Sequence, residues 1–122
     1  MPAPDLRTLL AEQRFADLLA LAQSRLAQHP SDRDALLFTA IAQRFLNLLP
    51  EALRTLGVLE GNYPSFSRLF EERGRCYVAQ RQARPAIEAF VRAVQLNHSL
   101  PGSWSMLEGL YRMQGETQNA SM

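Results

Sequence analysis

A recurring interval of 34 residues constrains this 122-residue sequence more than any other feature. Pro30, Pro64 and His98 stand that far apart, each where a helical pattern stops. Leu36, Phe70 and Trp104 keep the interval at the start of the following helix. So do Thr39, Arg73 and Leu107, then Ala40, Gly74 and Glu108, then Gln43, Tyr77 and Tyr111. In the second helix of each unit Leu18, Ala52 and Ala86 align, as do Ala22, Leu56 and Phe90. Small residues such as Ala52, Ala86 and Gly74 let paired helices approach, and Trp104, Tyr77 and Phe90 are expected to fill the adjoining gaps. Each large buried side chain contributes roughly 1.5–3 kcal/mol, too little for one helix pair to offset its ordering entropy. Stacked neighbours supply the remaining burial.

Apolar residues recur with the helical period, and no segment alternates cleanly with period two. "DLRTLLAEQ" opens with Asp5 as a cap, and "FADLLALAQSRLAQ" stops before "HPSD". Asn47 is placed to end "RDALLFTAIAQRFL" in the left-handed conformation. Pro50 and Pro85 each fall in the first turn of a helix, where a missing N–H costs nothing. "FSRLFEERGRCYVAQ" is a further helix, and "GSWSMLEGLYRMQ" is the last, closed by Gly115. The expected fold is all-α, with about seven helices in about three and a half hairpin repeats. Its units fall at 5–32, 33–66, 67–100 and 101–115 of one domain covering 1–122, with 116–122 as a polar tail.

Composition narrows function. An apolar content of 47% suits one small domain with a continuous core. A net charge of +1 calls for neither a nucleic-acid backbone nor an anionic membrane. All 13 basic residues are Arg, which excludes any mechanism that needs an amine. No stretch is long and apolar enough to span a bilayer, and "MPAPDLRTLL" lacks a basic leader, so the expected location is cytoplasmic. His29, His98 and Cys76 are too few for a metal site, and Cys76, beside Tyr77, is expected to be a packing residue. Glu71 and Glu72 are adjacent on a helix and point in different directions. No cofactor, metal or catalytic role is expected.

The residues "RGRCY…PAIEAFVRAVQLN" followed by "SWSMLEGLY" resemble tetratricopeptide repeats, whose pattern carries Trp, Leu-Gly, Tyr, Ala, Phe and Pro. The unit from about Ser67 matches at Gly74, Tyr77, Ala86 and Phe90, with His98 where Pro is usual. The next unit supplies Trp104, Leu107 and Tyr111 but has Glu108 in place of Gly. The resemblance implies a right-handed superhelical solenoid of helix hairpins and a protein-interaction scaffold. A narrower likeness, through "HP", "AIEAF" and "SW", is to the repeat region preceding the catalytic domain of bacterial tetratricopeptide-repeat sulfotransferases. That likeness implies an alternative role as the non-catalytic arm of such an enzyme, since the donor-binding loop is not in the sequence.

In the family the first helix of each pair lines a concave groove. The candidate contacts are an apolar patch at Leu37, Phe38, Ile41 and Phe45, bordered by Arg44, Arg75 and Arg112, with Glu71 nearby. Such a groove would suit a peptide with apolar anchors and a few carboxylates. The plainer alternative has Phe38 and Phe45 packed against neighbouring helices while the arginines pair with Glu71 and Glu72. The final helix has no following partner in the sequence, so Met106, Leu110 and Met113 are expected to face solvent. Continuation into a longer chain, self-association through this helix, or its rotation would each hide that strip.

Overall fold

The computed structural model describes residues 3–120. Among them the chain forms seven helices and no strand: α1 (Leu6–Ala11), α2 (Phe15–Gln28), α3 (Arg33–Phe45), α4 (Leu49–Asn62), α5 (Ser67–Ala79), α6 (Ala83–Leu96) and α7 (Pro101–Ala120). Backbone contacts divide them into a first unit ending at Ser65, with α1 to α4, and a second beginning at Phe66, with α5 to α7.

The sequence interval reappears in the backbone. Gln13, Asn47 and Arg81 have φ of 58°, 62° and 60°, the positive-φ residues among those described. Each ends its helix with the same pair of bonds. The next residue's N–H (Arg14, Leu48, Gln82) reaches back to the carbonyls of Leu9, Gln43 and Tyr77 at 2.9, 2.7 and 2.9 Å. The left-handed residue itself donates to Leu10, Arg44 and Val78 at 3.0, 3.0 and 2.9 Å. These are Schellman closures, which satisfy carbonyls that a helix end leaves open. Only Asn47 among the three is a residue type that tolerates this conformation well. Arg81→Gly and Gln13→Gly should therefore raise stability by up to about 1 kcal/mol each. Urea unfolding of the single variants checks this.

The helices start differently. Asp5 and Asp32 cap α1 and α3 by accepting the N–H of Thr8 and Ala35 at 2.8 and 2.9 Å. The Thr8 bond holds the Asp5 carboxyl below its ordinary range. α2, α4 and α6 have no side-chain cap and emerge directly from the Schellman turns. Pro50 and Pro85 do sit in the first turns of α4 and α6, as the sequence suggests.

In the first unit α3 is buried on every side from Ala35 to Gln43. It lies between α2 and α4, and Thr55 of α4 donates to the Gln43 side chain at 2.7 Å. In the second unit Ala86, Ala89, Phe90, Ala93 and Val94 line one face of α6, the spacing of a single helical stripe. A Cβ placed on Gly74 of α5 would come within 2.7–2.8 Å of three atoms of the Phe90 ring. Glycine is required there by contact, since its φ is ordinary.

α7 departs from expectation. It does not close at Gly115 but continues to Ala120. Gly115 is in register with Gln13, Asn47 and Arg81, yet no glycine among the described residues has positive φ. A glycine inside a helix costs about 1 kcal/mol relative to alanine, a penalty that continued helical bonding offsets.

Candidate functional site

The first unit carries the aromatic part of the site. Phe45 ends α3 just before the left-handed Asn47, and Phe15 begins α2 just after the equivalent Gln13 turn. The two rings stack with centroids 4.3 Å apart and planes 3° from parallel. The Arg44 guanidinium lies over Phe45, 4.3 Å from its centroid. Phe45 remains 46% exposed, and Leu46 and Leu48 beside it are also exposed. The result is a preformed ledge of two rings and one guanidinium with an apolar turn alongside.

The expected apolar patch is smaller than the sequence suggests. Leu37, Phe38 and Ile41 are buried, because α3 is enclosed all round, and of the four apolar candidates only Phe45 presents surface. Leu46 and Leu48 escaped sequence reasoning. Their signal was "RFLNLLP", an apolar stretch wrapped around a turn, where polar residues are usual.

In the second unit the charged candidates are largely satisfied among themselves. Arg75 binds Glu72 Oε1 at 2.7 Å and approaches Glu71 Oε1 at 3.6 Å. The Ser103 hydroxyl, fully buried, donates to Glu71 Oε2 at 2.6 Å. Both carboxylates are buried, Glu72 to 3% exposure, so the pairing of Arg75 with Glu71 and Glu72 expected from the sequence is present, but as an internal network. Arg112 is exposed and pairs with Glu108 at 2.8 Å. A second guanidinium cluster, which the sequence reading did not single out, sets Arg73 and Arg92 over Phe70 at 5.3 and 5.7 Å.

The far face of α7 also differs. Leu110 is buried at 6% exposure and Met106 partly so, both packed with Phe90, Val94 and Leu107. Met113 alone of the expected strip is exposed. Trp104, expected as a core filler, and Tyr111, in register with Tyr77, stand 48% and 53% exposed. They line a groove of about 550 Å³ between α6 and α7, with Val91, Val94, His98 and Leu107. Trp104 Nε1–H donates to the His98 carbonyl at 2.9 Å, which fixes the indole in place.

Cys76 is buried. Among the described residues no group of three His, Cys, Asp or Glu side chains could hold a metal ion, and no helix is long and apolar enough to cross a membrane.

No family model and no curated protein matches the chain. Solved structures do. The first TPR domain of human RPAP3 superposes with a TM-score of 0.84 at 12% identity, covering 93% of this chain and 90% of that one. The first TPR of Spaghetti (RPAP3), bound to an HSP90 peptide, gives 0.81 at 12% identity, covering 90% and 87%. The Yersinia enterocolitica type III secretion chaperone SycD, in complex with a peptide of the translocator YopD, gives 0.77 at 13% identity, covering 89% and 88%. The narrower likeness to sulfotransferase repeat arms rests on the residues quoted for it alone. At these identities the similarity is one of architecture, and the fold of this chain is the all-α tetratricopeptide-repeat fold.

Proposed function

We propose that the chain is a non-catalytic interaction scaffold that takes a peptide or protein partner, with the Phe15–Phe45–Arg44 ledge as its principal contact. The carrying observation is the ledge itself: an aromatic ring held by stacking yet 46% exposed, with a guanidinium above it. Such a surface offers an apolar anchor and a carboxylate partner within one side chain's reach. Two proteins with this fold, the Spaghetti domain and SycD, hold peptides in their solved structures, which supports the same class of ligand here. In the second unit Arg112 is the exposed candidate, while Arg75 and Glu71 serve each other.

Affinity capture from the native lysate identifies the ligand. Phe45→Ala and Arg44→Glu should then each weaken its binding about tenfold, measured by fluorescence anisotropy with the purified partner peptide. Thermal unfolding should shift little, because the stack contributes only about 1 kcal/mol. Full affinity in both variants would move the contact elsewhere. A lysate that yields no specific partner would sink the scaffold reading.

A further inference from the structure

The groove between α6 and α7 has a face whose equivalents elsewhere in the chain are covered. Trp104, Glu108 and Tyr111 occupy the register of Leu36, Ala40 and Gln43 in the first unit, all buried where α4 lies on α3. They also occupy the register of Phe70, Gly74 and Tyr77, where Phe90 of α6 seats its ring on Gly74. In each case the cover is a helix joined by a tight turn, and hence antiparallel to the helix it covers. α7 has no such cover among the described residues, and Trp104 and Tyr111 are correspondingly exposed.

We infer that a second copy of this chain supplies the cover: two α7 helices pack antiparallel across this groove, about a two-fold axis near residue 110. A two-fold axis perpendicular to α7 makes the pair antiparallel by symmetry, the relation that the covering helix must have. The position of the axis follows from charge. Glu108 stands where the other units have Ala40 and Gly74, so an apolar covering helix bearing a ring like Phe90 would meet a carboxylate. With the axis near 110, Glu108 faces the second copy's Arg112, and its own Arg112 faces the second copy's Glu108. Both side chains are exposed and already 2.8 Å apart within one helix, so exchange across the axis needs only rotamer changes.

The same axis sets Trp104 over the second copy's Gly115. A Cβ at Gly115 would meet nothing within 4 Å, leaving room for the indole. That is large-on-small packing of the kind Phe90 and Gly74 make within one chain. The indole N–H is already bonded to the His98 carbonyl, so the ring can be buried without stranding a donor. This pairing is separate from the ledge on the first unit and does not depend on it.

Exchange of charge between two chains gives a decisive test by sedimentation equilibrium. Wild type should dimerise reversibly on concentration. Glu108→Arg and Arg112→Glu should each stay monomeric at concentrations where wild type is paired, since every cross-axis contact becomes repulsive. Mixed in equal amounts they should form a one-to-one heterodimer, although neither chain regains its internal pair. Trp104→Ala should raise the concentration of half-dimerisation by ~100-fold, as expected for an anchor lost from both copies. Its thermal unfolding in the monomeric range should fall by only a few degrees, because the ring is already about half exposed there. A wild-type monomer persisting to about 1 mM would overturn the inference. So would variants that pair as readily as wild type, or a mixture that fails to associate.

Discussion

Replacing Phe90 by alanine is expected to cost about 3–5 kcal/mol, the range for truncating a fully buried ring. Gly74→Ala should cost about 2 kcal/mol, the reverse of its effect in an ordinary helix, where alanine gains about 1 kcal/mol. The reason is the approach of three Phe90 ring atoms to 2.7–2.8 Å of the added methyl, with the ring confined by Ala86, Val94 and Leu107. Neither partner can retreat. Removing the ring makes room for the methyl, so the double variant should cost clearly less than the two single costs added. Trp104, the only tryptophan, lies in the same unit and reports its urea unfolding by fluorescence. Strict additivity would show that the ring and glycine do not press on one another.

The second large effect concerns charge. Arg75→Leu removes the guanidinium that Glu72 and Glu71 share, both of which are buried. Breaking a buried ion pair costs about 3–5 kcal/mol. Arg75 is about one-third exposed and solvent screens part of its interaction, so about 2–3 kcal/mol is expected here. Ser103→Ala, which deletes the 2.6 Å bond to Glu71, should cost about 1.5–3 kcal/mol. Adding Glu72→Gln to Arg75→Leu should recover part of the loss, because a neutral amide needs no counter-charge. Chemical unfolding of the series measures each step, and an Arg75→Leu protein as stable as wild type would show that the network carries no stability. Arg75→Glu is for the same reason a poor probe of partner binding. It would set a third carboxylate beside two buried ones and destabilise the unit itself.

The repeat was legible because it is written in side-chain size and in turn residues, both local. Asn47 announced its left-handed turn; Gln13 and Arg81 did not, since nothing in those residue types favours positive φ. Only the register with Asn47 betrays them. The Gly74–Phe90 contact was likewise visible as small against large. Exposure was harder. Period alone marks Leu37, Phe38 and Ile41 as one stripe, but α3 is enclosed all round, so a stripe that looked like surface is core. Conversely, Trp104 and Tyr111 fit the core pattern of their unit, yet stand exposed because the helix that would cover them is not present among the described residues. A repeat pattern gives each residue's neighbours on its own helix, and what lies opposite depends on which helices follow. The carboxylates Glu71 and Glu72 illustrate the same gap: their burial depends on Arg75 and on Ser103, 32 residues away in sequence.

Among the described residues every helix pair in substantial contact is consecutive along the chain: α1 with α2, α2 with α3, α3 with α4, α5 with α6, and α6 with α7. Most packing is between neighbours in the chain, and bonds such as Ser103 to Glu71 and Tyr63 to Ser31 span only 32 residues, so the conformational search is short. Chains of this topology reach the native state in microseconds to milliseconds. A ribosome adds only about 5–20 residues each second. Each hairpin thus has time to close many times over before its successor leaves the exit tunnel, and synthesis, not folding, sets the pace at which this protein matures.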